Sequence, residues 1–259
     1  MNFLNGQGET ALHSFGNLVI NESIKMMKKR SFIISLAIVA AMSAGFAFIF
    51  QAISFDGVES ATDYAALLVA RSGAGQMLAF IAIIFTAGIV AKEHSQGTIK
   101  FLLIRSQSRS KILASKYVVV LLFTLLLILF AMAVSYLTGG FVFGFSGGKT
   151  SAADAWQSGL YSYIFTMVYT TLTFMAGILT RSTGAATGIG MFMVMLNGLI
   201  IPRAFYKYVL LANADLSVYT QGTPPLAGMS LSFSAVLIAV YVVMFLAIGF
   251  FAFNKRDIA

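Results

Sequence analysis

The sequence predicts an all-α membrane protein: six transmembrane helices, an N-terminal amphipathic helix at the interface, a short cytoplasmic helix between the second and third spans, and both termini cytoplasmic. Three observations predict it. The chain is 59% hydrophobic and 10% charged, with a mean hydropathy of +0.88, more apolar surface than a water-soluble core hides. Charge-free runs recur at the length, roughly 20 helical residues, that a hydrocarbon layer about 30 Å thick requires, and they lack the alternation of barrel strands. The basic residues, finally, divide unevenly between the two sides that six spans would create.

Residues 1–30 come first. His13, Asn17, Asn21 and Lys25 recur every four residues, while Leu12, Phe15, Val19 and Met26 fall mainly on another face. This is the pattern of an amphipathic helix on the inner leaflet; a partly ordered basic tail is the plainer alternative. The spans follow at about 31–52, 73–91, 117–138, 159–180, 183–201 and 231–253, forming a transmembrane domain over 31–253 with a tail at 254–259. The first lacks the small-residue cleavage site and following soluble domain of a signal peptide, so it is expected to be retained.

With the N-terminus inside, the cytoplasmic segments hold Lys25, Lys28, Lys29, Arg30, Lys92, Lys100, Arg105, Arg109, Lys111, Lys116, Arg181, Lys255 and Arg256. The outer ones hold Arg71, Lys149, Arg203 and Lys207. Thirteen against four chooses this orientation. The longer outer segments, 53–72, 139–158 and 202–230, are too short for separate domains. In the third, a short interfacial helix before Pro224 and Pro225 and a simple apolar loop are both open readings.

Several function classes are excluded or disfavoured. Zero cysteines removes disulfides, thiol catalysis and thiolate metal sites. His13 and His94 lie outside the apolar runs, so no metal centre is expected. The net charge of +8 marks a membrane side rather than nucleic-acid binding, because no soluble domain exists to carry such a function. No Asp, Glu, Lys, Arg or His falls near the middle of a span, which disfavours ion-coupled carriers and intramembrane proteases. No G-x-x-x-x-G-K-[ST] loop is present, so a P-loop nucleotide site is not expected, nor is any other cofactor.

Small residues stand at helix-contact spacing. Ala37, Ala41 and Gly45 share one side of span 1, and Gly184 and Gly188 form a GxxxG in span 5. They serve either packing within the chain or contact with another subunit. Thr170, Thr171, Thr173 and Asn197 are the few polar side chains of spans 4 and 5; they line a translocation path or bond to their own helix carbonyls.

The insert at 92–116 carries the most specific pattern. In "GTIKFLLIRS", Ile99, Leu102 and Leu103 share one helical face while Lys100 and Arg105 point away. Gly97 permits a sharp turn before this helix, and Ser108 or Ser110 is placed to cap the next one. By itself such an insert also reads as a basic loop resting on anionic lipid.

Taken whole, "KEHSQGTIKFLLIRSQSRSKILASKY" resembles the cytoplasmic segment of ABC-2 type permeases, the membrane subunits of ATP-binding cassette transporters. The likeness rests on Glu93, Gly97-Thr98, Leu102-Leu103, Ser108-Arg109 and Lys116. Six spans, the leading amphipathic helix and the ending "FNKRDIA" extend it over the chain. Ser106-Gln107 departs from it, since relatives frequently have a proline there. The resemblance implies that 92–116 holds a coupling helix seated in a cytoplasmic ABC ATPase subunit, and that two ATPases and a second permease, identical or homologous, complete the transporter. ATP and Mg would be bound by the ATPase. Ile99, Leu102 and Leu103 would be the buried anchor, and Glu93 and Arg109 would fix orientation. The likeness is to bacterial plasma-membrane exporters of the bacitracin and lantibiotic-resistance kind, which implies an amphiphilic peptide, antimicrobial or lipid-like cargo. The alternative is a non-transporting membrane scaffold or sensor component that docks a cytoplasmic regulatory partner.

Overall fold

The computed structural model describes residues 3–95, 108–199, 201, 203–221 and 224–255. Among them every regular element is helical: α1 Phe3–Met27, α2 Arg30–Ala52, α3 Ala61–Val69, a π-helical turn Arg71–Gly75, α4 Gln76–Ser95, α5 Arg109–Phe143, α6 Ala152–Thr180, α7 Thr183–Leu196, one-turn α8 Leu210–Asn213 between the 3-10 turns Ala204–Tyr208 and Leu216–Gln221, and α9 Leu231–Lys255. Four of these, α2, α5, α6 and α9, are long and apolar enough to cross a membrane. α4 has 20 residues, with polar side chains from Lys92 to its end, and α7 has only 14.

α1 separates some polar from apolar positions over its described side chains, residues 15–27. Asn17, Asn21 and Lys25 are exposed, Phe15 and Val19 are half-buried, and Met26 is buried. Val19 and Met26 belong to the core cluster that α1 shares with α5. A two-residue turn leads into α2, whose buried residues Phe32, Ser35, Val39, Ser43 and Ala47 recur at helical spacing along the face packed on α5.

Residues 53–72, expected as an outer segment too short for a separate domain, contain α3 and the start of the π-helical turn. The cause is local. Ser60 caps α3 by accepting a hydrogen bond from the Asp63 amide, and the helix then buries Tyr64, Ala65, Leu68 and Val69 against α5 and α6. Gly139 on α5 makes the approach possible, since a Cβ there would stand 2.9 Å from the Tyr64 side chain.

α6 is the central helix, packed against α4, α7, α9, α3 and α5. It begins with a capping box in which Ser151 and Asp154 satisfy each other's amides. It ends where Arg181 takes a left-handed conformation (φ 55°). One core cluster joins Val39, Phe85, Phe123, Leu127 and Phe174; another joins Ile83, Tyr169, Leu172, Val194, Leu210 and Phe245. The peripheral helices turn large apolar side chains outward, among them Ile33, Phe48, Leu122, Phe192, Val236, Val243 and Phe251. In water such a belt would drive aggregation; against lipid it is the expected surface.

Helix lengths refine the expected spans. α5 has 35 residues, roughly 50 Å at about 1.5 Å per residue, so it outruns a hydrocarbon layer at one or both ends. α7 stops at Leu196, five residues short of the expected boundary, because Asn197 leaves the helical region and Gly198 follows with φ 94°.

Candidate functional site

The two helices that flank the insert are joined firmly. Phe85 of α4 stacks on Phe123 of α5 with ring centroids 3.7 Å apart and planes 18° from parallel, and Phe32 of α2 reaches the same Phe123 ring at 6.0 Å. Ile89 of α4 and Leu113 of α5 extend this contact toward the insert. A force applied between Ser95 and Arg109 would therefore move α4 and α5 together. Gly97, Thr98, Ile99, Leu102 and Leu103 lie outside the described residues. Glu93 lies in the last turns of α4, Ser108 is the N-cap position of α5, and Arg109 is its first residue. Ser108 makes no side-chain capping bond, and Ser110 instead exchanges hydrogen bonds with Asn254 of α9, 3.1 Å from Asn254 Nδ2. The start of α5 is thus tied to the end of α9.

Lys116, the last residue of the insert pattern, lies in the second turn of α5. It is buried, and its ammonium donates to Glu22 of α1 at 2.8 Å; Lys25 binds the other oxygen of that carboxylate at 2.6 Å. Burial pushes the Glu22 carboxyl up, but Lys116 and then Lys25 overcome this and hold it below the ordinary glutamate value. Lys116 consequently fastens the interfacial helix to α5. Sequence reading missed Glu22; the signal available was a single acidic residue among four basic ones in 22–30.

A second polar centre lies at the opposite end of the bundle. Arg71, in the π-helical turn, donates to Asp215 at 3.0 Å and to the Asn197 carbonyl at 2.8 Å, with its guanidinium 5.9 Å from the Phe165 ring. The Asn197 side-chain amide donates to the Tyr169 hydroxyl at 2.7 Å and to the Leu211 carbonyl at 3.2 Å. Asp215 also accepts from the Ser217 amide and hydroxyl. Gly198 is required here: its φ is 94°, and a Cβ would stand 2.7 Å from Arg71 Nη2. This latch joins α6, α7, the π turn and the segment after α7. Nearby, Asp63 accepts from the Thr150 amide at 2.7 Å and from Ser60, linking 53–60 to 144–151. Burial raises the Asp63 carboxyl, yet its bonds with Thr150, Glu59 and Ser60 bring it below the ordinary aspartate value.

Of the small-residue positions, Ala37, Ala41, Gly45, Gly184 and Gly188 are all exposed. A Cβ on Gly45 or Gly188 would meet nothing within 4 Å. Close packing inside the chain falls to Gly190 instead, where a Cβ would lie 2.2 Å from Thr173 Oγ1 and 2.9 Å from Ile83 Cγ2. Thr170, Thr171 and Thr173 are fully buried in α6 and donate to carbonyls of their own helix, with Thr171 also meeting the Tyr117 hydroxyl at 3.0 Å. Asn197 belongs to the latch.

The apolar belt and the long apolar helices define a multi-pass membrane protein. Residues 26–259 match the family described as "Protein of unknown function (DUF2705)", and the chain belongs to it. It is similar to "Uncharacterized protein YhcI" of Bacillus subtilis (strain 168), with 38% identity over 201 residues, 68% of this chain and 63% of the relative. The aligned region therefore spans less than two thirds of that relative's length. It is also similar to "Uncharacterized membrane protein YdbK" of the same organism, with 26% identity over 194 residues, 70% of this chain and 78% of the relative.

Proposed function

We propose that this chain is the permease subunit of an ATP-binding cassette transporter of the ABC-2 type. It would span a bacterial plasma membrane six times with both termini cytoplasmic and export an amphiphilic peptide, antimicrobial or lipid-like cargo with ATP hydrolysed by a separate subunit. In this reading α4 and α7 join the four longer helices as spans, α7 being completed by the residues that follow it. The observation that carries the proposal is the basic, amphipathic insert held between α4 and α5, two helices stacked ring on ring so that a push on the insert moves both. ATP-driven movement of a docked ATPase would tilt this pair as a unit and bias the permease between two states. Outward-facing Gly184 and Gly188 of α7 support close approach of a second permease.

The test is co-purification from native membranes. The chain is expected to bring down a P-loop ATPase subunit whose hydrolysis rate changes with cargo. Replacing Leu102 and Leu103 with Asp is expected to abolish the complex while membrane insertion persists; an undiminished complex refutes the docking assignment. Capture of a partner without a P-loop favours the scaffold reading. Because the chain has no native cysteine, Leu103→Cys offers a unique label, and modification by a membrane-impermeant reagent from the outer side would overturn the orientation.

A further inference from the structure

α2 lies along α5 and touches α4 only lightly, leaving a groove of about 830 Å³ between α2 and α4. That volume falls within the range of about 300–1,000 Å³ typical of ligand pockets. Its walls are Ile34 and Ile38 of α2 and Ile81, Ile84 and Phe85 of α4. Three of these, Ile34, Ile38 and Ile84, are about half exposed, at 55%, 45% and 53%, so the groove opens sideways through the apolar belt rather than closing over. Its mouth differs in chemistry. Lys29, Arg30 and Ser31 at the start of α2 meet Gly88 of α4 and Thr183 of α7 there, at the same end of the bundle as Lys116 and the insert. Lys29, Arg30 and Ser31 are all exposed.

We propose that this groove binds an anionic phospholipid of the leaflet on the basic side, with an acyl chain along the isoleucine wall and the phosphate at Lys29 and Arg30. The inference rests on the orientation given above but not on transport or an ATPase. Ser35 is the polar side chain along the slot's walls, and its hydroxyl already donates to the Phe32 carbonyl at 2.7 Å; ordered water would find few partners there, whereas a hydrocarbon chain matches the isoleucine walls. Two cations at its headgroup-level mouth attract a negative headgroup. Charge complementarity also chooses between occupants. A second copy of this chain, related by rotation about the membrane normal, would bring its own basic end against Lys29 and Arg30 and add repulsion. A zwitterionic lipid offers the same chains with no net charge.

The experiment is native mass spectrometry of the full chain released from neutral detergent, titrated with phosphatidylglycerol and phosphatidylcholine of identical acyl chains. Phosphatidylglycerol is expected to bind preferentially, and Lys29→Gln and Arg30→Gln are each expected to lower that preference by about fivefold. Lys28→Gln with Lys111→Gln, at the same end but outside the groove, is expected to retain it. Ile84→Trp, which fills the slot, is expected to lose both lipids, and thermal melting without added lipid checks that each variant folds. Equal binding of the two lipids, or equal losses from the groove and control substitutions, overturns the proposal. So does a disulfide dimer formed by Ile34→Cys in membranes, because a second copy would then occupy the groove. Loss of ATPase co-purification with lipid binding intact removes the transporter reading and leaves this site standing.

Discussion

Substitution of Asp215 measures what the latch contributes. Asp215→Ala removes the acceptor for three hydrogen bonds, from Arg71 Nη1 and from the Ser217 amide and hydroxyl. Bonds to charged groups contribute about 1.5–3 kcal/mol each, but the Asp215 and Arg71 side chains keep 12% and 26% of their exposure. Water recovers part of the loss, and the expected net cost is about 2–4 kcal/mol. At roughly 2–4 °C per kcal/mol for a chain of this size, melting in lipid nanodiscs should fall by at least about 4 °C. Hydrogen exchange should rise across 204–221, the segment that Asp215 ties to Arg71. The exposed pair Lys149–Glu59, at 2.6 Å with side chains 77% and 48% exposed, is the control. Although its contact is shorter, Lys149→Ala should leave melting unchanged, because solvent screens it. Arg71→Met combined with Asp215→Ala should show a coupling of about 1–3 kcal/mol. Equal shifts for Asp215→Ala and Lys149→Ala, or strict additivity with Arg71→Met, would refute the reasoning.

The Glu22 carboxyl titrates below the ordinary glutamate value of 4.5 in the folded chain. Its contribution is therefore complete above about that pH and is lost as pH falls through the folded value. Hydrogen exchange of residues 15–27 should stay protected from neutral pH down to that range and rise below it, whereas Glu22→Gln should leave α1 less protected already at pH 7; pH-independent protection in the native chain would contradict the ion pair. Gly190→Ala should cost about 1–3 kcal/mol by overpacking against Thr173 and Ile83, while Gly188→Ala should leave the stability of the single chain unchanged. Thermal melting of the two variants side by side checks this, and equal destabilisation would count against it.

Helix existence and the identity of the basic end were legible in the sequence because hydrocarbon thickness and charge asymmetry act on whole segments. Contacts between distant segments were less so. Arg71 and Asp215, 144 positions apart, read as separate outer charges until the fold places them 3.0 Å apart. Lys116 matched an insert pattern by spacing, but spacing does not reveal that it is buried against Glu22, 94 positions earlier. The GxxxG of Gly184 and Gly188 was visible as a spacing, yet the face it occupies depends on how α7 rotates about its axis. Gly190, two residues on, takes the inward position because Thr173 and Ile83 leave room only for a hydrogen atom there. The helix within 53–72 was not legible because α3 is only nine residues long, and what stabilises it is burial against α5 and α6 rather than periodicity.

The distribution of polar groups constrains how the chain can work. Within the helices, Thr86, Thr124, Ser135, Thr170 and Thr173 each donate to a carbonyl three or four residues earlier. Such hydroxyls are largely occupied by their own helices. The bonds that join different elements over long sequence distances gather toward the ends: Glu22 with Lys116 and Ser110 with Asn254 at one, Arg71 with Asp215 and Asp63 with Thr150 at the other. Between them the helices meet mainly through apolar surfaces, which can slide or tilt without breaking directional bonds, apart from hydroxyl pairs such as Tyr117–Thr171 at 3.0 Å and Ser43–Thr138 at 2.7 Å. Rearrangement of such a bundle is therefore resisted chiefly at its two ends, and a partner at the insert would act beside one of them. A tilt of α4 and α5 driven there must carry the ion-paired α1 with it and load the Arg71 latch at the far end. Under the proposed coupling, the Asp215 and Glu22 variants would probe opposite ends of one movement.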